Sequence, residues 1–273
     1  MNRFSVENTH QLEIYSKEIN QEFLINIGLP PNYSEEGDKY PVVYVTDAGP
    51  NFTGLMGSLP LMQIVNDLPS LVLVGIDYKS HNSNHSMSLR NRDLTPTNDE
   101  SWMAQQKSMY KIFGDDLPEV EAGGAENFLD FLNADIKALV NSKFHIDTQD
   151  QTYCGFSLGG LFGLYTLFTS SGSFDRYVIG SPSIWWDDKY ILKLEENYAK
   201  TNKNLNAKVF MSIGALEEKD DDGFNMVTNF NNLSKTLLNR KYTGFDVKTA
   251  ILEDETHCSA VLATLNRGLR NVF

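Results

Sequence analysis

The chain has 273 residues, 41% of them hydrophobic and 22% charged, with a formal net charge of −13. Those proportions are ordinary globular usage and exclude a disordered or low-complexity class. The negative balance is unsuited to phosphate backbones and anionic lipid, which need clustered Lys and Arg, so no nucleic acid and no membrane partner is expected.

The first third reads as strands. Residues 11–17 and 22–29 alternate apolar with polar positions, as half-buried antiparallel strands do, and a hairpin entry is expected. After Pro30-Pro31 come the runs 41–47 (Pro-Val-Val-Tyr-Val-Thr-Asp) and 71–77 (Leu-Val-Leu-Val-Gly-Ile-Asp). Both are short and continuously apolar, the mark of parallel strands buried on two faces. Residues 79–123 are rich in Asn, Ser, Asp and Gly with few periodic apolar positions, and read as a long loop excursion from the sheet. Over 125–140 apolar residues recur at three- and four-residue spacing, which predicts an amphipathic helix. Thereafter strands at 151–156, 176–181, 207–213 and 246–252 alternate with helices at 158–171, 188–199, 224–240 and 258–270. That alternation predicts right-handed crossovers and an α/β fold: a mostly parallel twisted sheet with helices on both faces, opened by the antiparallel N-terminal hairpin. With no long linker and no internal repeat, residues 1–273 read as one domain.

The start, Met1-Asn2-Arg3-Phe4-Ser5-Val6-Glu7, lacks the apolar run of a signal peptide. No segment approaches the roughly 20 apolar residues of a membrane span. If Met1 is the natural start, a soluble cytoplasmic protein is expected. Cys154 and Cys258 are too few for a disulfide framework and read as small buried hydrophobes.

Gly155-Phe156-Ser157-Leu158-Gly159 matches G-x-S-x-G, a pattern that chance supplies about once in ten chains of this size. Its context adds weight: an apolar strand leads in and an apolar helix leads out, the strand–turn–helix that lifts a nucleophilic Ser clear of the sheet. Small residues at 155, 159 and 160 allow the close approach. An attacked carbonyl also needs two fixed N–H donors. Leu158, at the helix start, offers one; the loop after the earlier strand, Asp47-Ala48-Gly49-Pro50, offers the other, with Gly49 first and Ala48 next.

Ser needs a neighbouring base. Of five histidines, His10 reads as a solvated residue before the first strand, and His145 lies before the Ser-bearing strand, away from the elbow. His81 and His85 sit four apart in a Ser/Asn-rich stretch unlike a helical metal face; no metal or other cofactor is expected. His257, between the last strand and the last helix, follows the order Ser, acid, His of this fold. The acid should follow the strand ending at Ile213, where Glu217, Glu218, Asp220, Asp221 and Asp222 all compete with the alternative of solvated surface charge. Glu217, the first carboxylate after Gly214, leads.

At this point the residues resemble the enterochelin esterase and esterase D branch of the α/β-hydrolases, the putative esterase family. The resemblance rests on 40–49 (Tyr-Pro-Val-Val-Tyr-Val-Thr-Asp-Ala-Gly), Arg92-Asp93-Leu94-Thr95-Pro96, 124–132, 155–160 and Ser181-Pro182-Ser183-Ile184-Trp185-Trp186-Asp187. It implies a serine carboxyl-ester hydrolase working through an acyl-enzyme, with Ser157 as nucleophile, His257 as base, Glu217 at the acid position and the Leu158 and Gly49 amides as oxyanion hole. The Ser-Pro-Ser-Ile-Trp-Trp-Asp run is similar to members that cleave siderophore trilactones, and Arg92 matches an arginine placed near the anionic ligand there, with Arg90 an adjacent register. Two departures stand out: Glu where many members have Asp, and fewer basic residues over 79–123 than many siderophore esterases carry.

The expected partner is therefore a small-molecule ester: a siderophore ester, an aromatic acyl ester, or a thioester of the acyl-glutathione type. Trp185, Trp186 and Phe156 are candidates for an aromatic wall, or for core packing. An acyltransferase on the same site and a catalytically silent binding protein on a hydrolase scaffold are the rival classes.

Overall fold

The computed structural model describes residues 6–80, 83–112, 121–218 and 223–273. Eight strands form one sheet in the order β1-β2-β4-β3-β5-β6-β7-β8. β1 (Thr9–Ser16) and β2 (Gln21–Gly28) make the antiparallel hairpin, and β2 also runs antiparallel to β4 (Val72–Tyr78). β3 (Tyr40–Val45), β4, β5 (Ile146–Phe156), β6 (Arg176–Gly180), β7 (Asn204–Gly214) and β8 (Thr243–Leu252) are mutually parallel.

The side-chain period of two explains why the central strands carry no polar face. In β3, Val42 and Tyr44 pack into one layer and Val43 and Val45 into the other; in β6, Tyr177 and Ile179 oppose Val178 in the same way. The larger layer is closed by α4 (Ala125–Phe131), α5 (Lys137–Lys143), α6 (Leu158–Thr169), α7 (Trp186–Thr201) and α8 (Met226–Arg240). The smaller is closed by α1 (Ala48–Ile64) and α9 (Ala260–Val272). Within α7, Asp187, Asp188 and Lys189 have left-handed backbone angles, so regular helix starts only after them.

The structure departs from the sequence reading in several places. The 125–140 helix is split by a π-helical turn, Leu132–Ile136, that lets Asn133 and Lys137 both reach Ser173, through Asn133 Nδ2 to Oγ (3.0 Å) and Lys137 Nζ to the carbonyl (2.6 Å). The sequence does not announce α1, because Gly49, Pro50, Gly54, Gly57 and Pro60 hide a 17-residue helix. Tertiary packing overrides them: Pro50 stands in the first turn, where no N–H is required, and a Cβ on Gly54 would stand 2.2 Å from Leu262 of α9. The excursion is not loop throughout, for it contains α2 (Ser83–Asp93) and α3 (Glu100–Ile112). His85 is thus helical, while His81 lies outside the described residues. His10 is exposed but belongs to β1. Cys154 is buried as expected, and burial pushes its thiol pKa up; Cys258 is instead exposed, because the turn before α9 runs over the surface. Among the described residues no helix is long and apolar enough to cross a membrane.

Candidate active site

The chain leaves β3 toward β4 on one side and later returns to β5 on the other, so the carboxyl ends of β3 and β5 flank a topological switch point, where open α/β sheets place their sites. Ser157 stands there, between β5 and α6, at φ 60° and ψ −117°. A non-glycine residue adopts such angles only where its surroundings enforce them. The enforcement comes from glycines. A Cβ on Gly155 would fall 2.2 Å from the Gly159 carbonyl oxygen, one on Gly159 2.7 Å from Thr46 Oγ1, and one on Gly160 2.7 Å from the Gly180 carbonyl oxygen. Under the turn, the buried Tyr153 hydroxyl donates to the Gly159 carbonyl at 2.8 Å and lies 3.0 Å from Thr46 Oγ1. Above it, Ser157 Oγ lies 3.5 Å from Ser183 Oγ, whose backbone N–H donates to the Ser157 carbonyl at 3.2 Å.

Glu217 closes the 3₁₀ turn Ala215–Glu217 after β7, and its side chain is 1% exposed. Its carboxylate collects three donors: Ser181 Oγ at 2.5 Å and the Gly214 N–H at 2.8 Å on Oε1, and His257 Nδ1 at 2.6 Å on Oε2. A buried carboxylate is tolerable only when so satisfied. An ionised carboxylate only accepts, so in that contact Nδ1 is the donor, and Nε2 is left for another partner. The His257 ring, half exposed, leans on Phe156 with centroids 5.0 Å apart. Glu218 turns the other way, accepting from the Val227 and Thr228 amides (2.7 and 3.1 Å) and Thr228 Oγ1 (2.5 Å). Burial works to raise its pKa, and these donors outweigh it and hold the carboxyl below its ordinary range. Asp220, Asp221 and Asp222 lie outside the described residues.

Two cavities meet at this point, and Ser157, His257 and Cys258 line both. The first, about 410 Å³, has an aromatic wall of Trp102, Trp185 and Phe224, whose rings pack at 4.7 to 5.6 Å centroid separation. The second, about 610 Å³, is bordered by Asp47, Gly49, Asp77, Arg90 and Phe156. Ala48 and Gly49 open α1, where backbone amides lack intrahelical acceptors, and Leu158 does the same for α6. Asp77 borders Gly49; burial pushes its pKa up, the Tyr78 amide pulls it down, the Asp47 charge adds to the rise and the Gly49 amide opposes it.

The structure therefore brings together Ser157, His257, Glu217, Leu158, Gly49, Phe156 and Trp185. It does not bring Arg92 there: that guanidinium pairs with Asp93 through Nε at 2.6 Å and Nη2 at 3.0 Å, and borders neither cavity, whereas Arg90, on the α2 face toward the sheet ends, does. Trp186 is fully buried, its Nε1 donating to the Thr97 carbonyl at 3.2 Å. Trp102, Phe224 and Ser183 also line the first cavity, and the sequence pattern does not single them out. The one available signal was a large aromatic stranded in a polar stretch, at 102 and again at 224.

A serine on a strained strand–turn–helix, a histidine held by a buried carboxylate and a sheet of this order define an α/β-hydrolase. The family described as Putative esterase matches residues 16–246, and the chain belongs to that family as an ester hydrolase. Among its relatives, the Ferri-bacillibactin esterase BesA of Bacillus subtilis is 30% identical over 274 residues, covering 98% of this chain and 91% of that protein. The crystal structure of BES protein from Bacillus cereus superposes with a TM-score of 0.83 at 30% identity, covering 100% of this chain and 97% of the other. Siderophore hydrolase EstA from Aspergillus nidulans gives a TM-score of 0.79 at 25% identity over 98% of this chain and 97% of the other.

Proposed function

We propose that this protein hydrolyses carboxyl esters of the siderophore type through an acyl-enzyme on Ser157. The observation that carries the reading is the 2.6 Å contact between His257 Nδ1 and the buried Glu217 carboxylate, beside a serine at the junction of two cavities. His257 Nε2 takes the Ser157 proton as Oγ attacks the ester carbonyl carbon. Negative charge then develops on the carbonyl oxygen, where the Leu158 and Gly49 amides, each at a helix N-terminus, stabilise it. Collapse expels the alcohol, protonated from His257, and water activated by His257 releases the acid and restores Ser157. Glu217 fixes the imidazole tautomer and stabilises the imidazolium.

The siderophore part of the reading is supported by the named activities of the relatives and by the aromatic cavity, which suits a planar acyl substituent. Two measurements test it. A fluorophosphonate should add to Ser157 by mass spectrometry, and ferric and iron-free siderophore esters should be cleaved faster than short alkyl esters or acyl-glutathiones. Absence of the adduct defeats the serine mechanism; a preference for simple esters defeats the substrate class.

A further inference from the structure

The N-terminus of α1 holds an unused cap. Asp47 is its N-cap residue, a residue type that ordinarily accepts an amide from position N2 or N3 with its side chain, yet its carboxylate makes no such bond. At N3 stands Pro50, which has no N–H. The only amide that the Asp47 side chain could cap in this way is therefore at N2, that of Gly49, the amide assigned above to the oxyanion.

What diverts the carboxylate is Arg90 from α2. Its Nε donates to Asp47 Oδ1 at 2.6 Å, and its Nη2 reaches the Phe156 carbonyl at 3.4 Å. Both partners of the ion pair are well covered, 17% and 15% exposed, so the pair is poorly screened by water. The position of Asp47 is itself constrained: it sits at φ 55°, in the left-handed region. The same arginine thus touches the residue before Ala48 and the residue before Ser157. It spans a gap that the β3–β5 ladder, ending at Val45 opposite Cys154, no longer bridges. Asp77 borders Gly49 from the other side, its Oδ2 3.5 Å from where a Gly49 Cβ would stand.

We propose that Arg90 is a positioning residue that holds the Asp47 carboxylate away from the Gly49 amide and ties the two halves of the oxyanion hole together. The proposal rests on the reading of Ser157 as nucleophile and adds a residue whose action is exerted through Asp47 and Phe156, not on substrate. Without Arg90, the Asp47 side chain is free to turn back and cap Gly49, putting a carboxylate where the oxyanion must form.

The test is a suppression experiment on a neutral short-chain p-nitrophenyl ester, with fold monitored by circular dichroism and thermal melting. Arg90→Met should lower kcat about 30- to 100-fold, reaching at most the low end of the roughly 100- to 1,000-fold loss for one oxyanion donor, with KM within about twofold. Arg90→Lys keeps a cation on Asp47 and should stay within about fivefold of wild type. Adding Asp47→Gly, which suits the left-handed backbone and removes the competing carboxylate, should recover about tenfold of the activity lost in Arg90→Met. A double variant no more active than Arg90→Met overturns the proposal, as does a loss confined to KM or an Arg90→Lys as impaired as Arg90→Met. If Arg90→Met melts too low to assay, the other two are judged against wild type: a loss of more than about fivefold in Arg90→Lys, or of more than about tenfold in the double variant, overturns the proposal. Wild-type turnover abolished by Ser157→Ala, together with an unimpaired Arg90→Met, would sink this proposal and leave the serine mechanism standing.

Discussion

Replacing Glu217 by Gln tests the site most sharply, because the change is nearly isosteric and its consequence follows from hydrogen-bond direction. Oε1 receives two donors, Ser181 Oγ and the Gly214 N–H, and Oε2 receives His257 Nδ1. A glutamine must leave its carbonyl oxygen under the Gly214 N–H, which can only donate, since turning its NH₂ there would bury donor against donor in a site 1% exposed. The NH₂ then faces His257, and the imidazole can keep the contact only by presenting an unprotonated Nδ1, with its proton on Nε2. That tautomer cannot accept the Ser157 proton. The same tautomer inversion costs about 10⁴-fold in kcat in the serine-protease triad, close to 5 kcal/mol of transition-state stabilisation. Steady-state hydrolysis of an activated ester should show a fall of about that size with little change in KM, while the melting temperature stays near that of wild type. A Glu217→Gln enzyme within tenfold of wild type would refute the reasoning and leave Ser157 and His257 acting without an acid.

Three further outcomes follow from separate parts of the structure. Gly155→Ala sets a methyl 2.2 Å from a backbone carbonyl oxygen that cannot swing aside; a cost of about 1–3 kcal/mol is expected, and an unchanged denaturation midpoint would contradict the close strand–helix contact. Trp102→Ala removes one wall of the aromatic cavity and should raise KM for an aryl-acyl ester up to about tenfold, the weight of a pair of aromatic contacts, while leaving KM for an acetyl ester unchanged; equal effects on both would remove the cavity from substrate recognition. Asp77 has a folded pKa above its ordinary 3.8, so between those two values the folded state binds the extra proton and stability falls as pH rises. Its penalty is absent below 3.8 and complete above the folded pKa. Asp77→Asn should therefore gain melting temperature over wild type near neutral pH and lose that advantage in acid; a difference independent of pH would overturn it.

The α/β alternation and the parallel sheet were legible because β3, β4 and β6 are buried on both faces and so carry unbroken apolar runs, bounded by Gly, Pro and Asp. α1 was not legible. Its glycines and prolines contradict helix propensity one by one, and only the contact of Gly54 with Leu262 and the cover it gives to Val43, Val45 and Leu73 explain why it forms. α2 and α3 were hidden for the opposite reason. They are polar helices, held over the sheet ends by particular contacts such as Arg90 with Asp47 and Asn91 Nδ2 with Gln106 Oε1 at 2.6 Å, and an apolar stripe did not announce them.

For the site, the sequence by itself determined the local chemistry: a Gly-Phe-Ser-Leu-Gly turn between a strand and a helix, and a His and a set of acids in the two loops that follow the last strands. Local order along the chain suffices for these, because strand ends on one side of a parallel sheet must gather at one edge. Which acid faces His257 was decided only by the tertiary structure. Glu217 and Glu218 are neighbours in one loop, and the direction of each is set by donors remote in sequence, Ser181 for the first and Thr228 for the second. Arg90 and Arg92 diverge in the same way, two residues apart on a helix and so pointing to different sides, one to Asp47 and the other to Asp93.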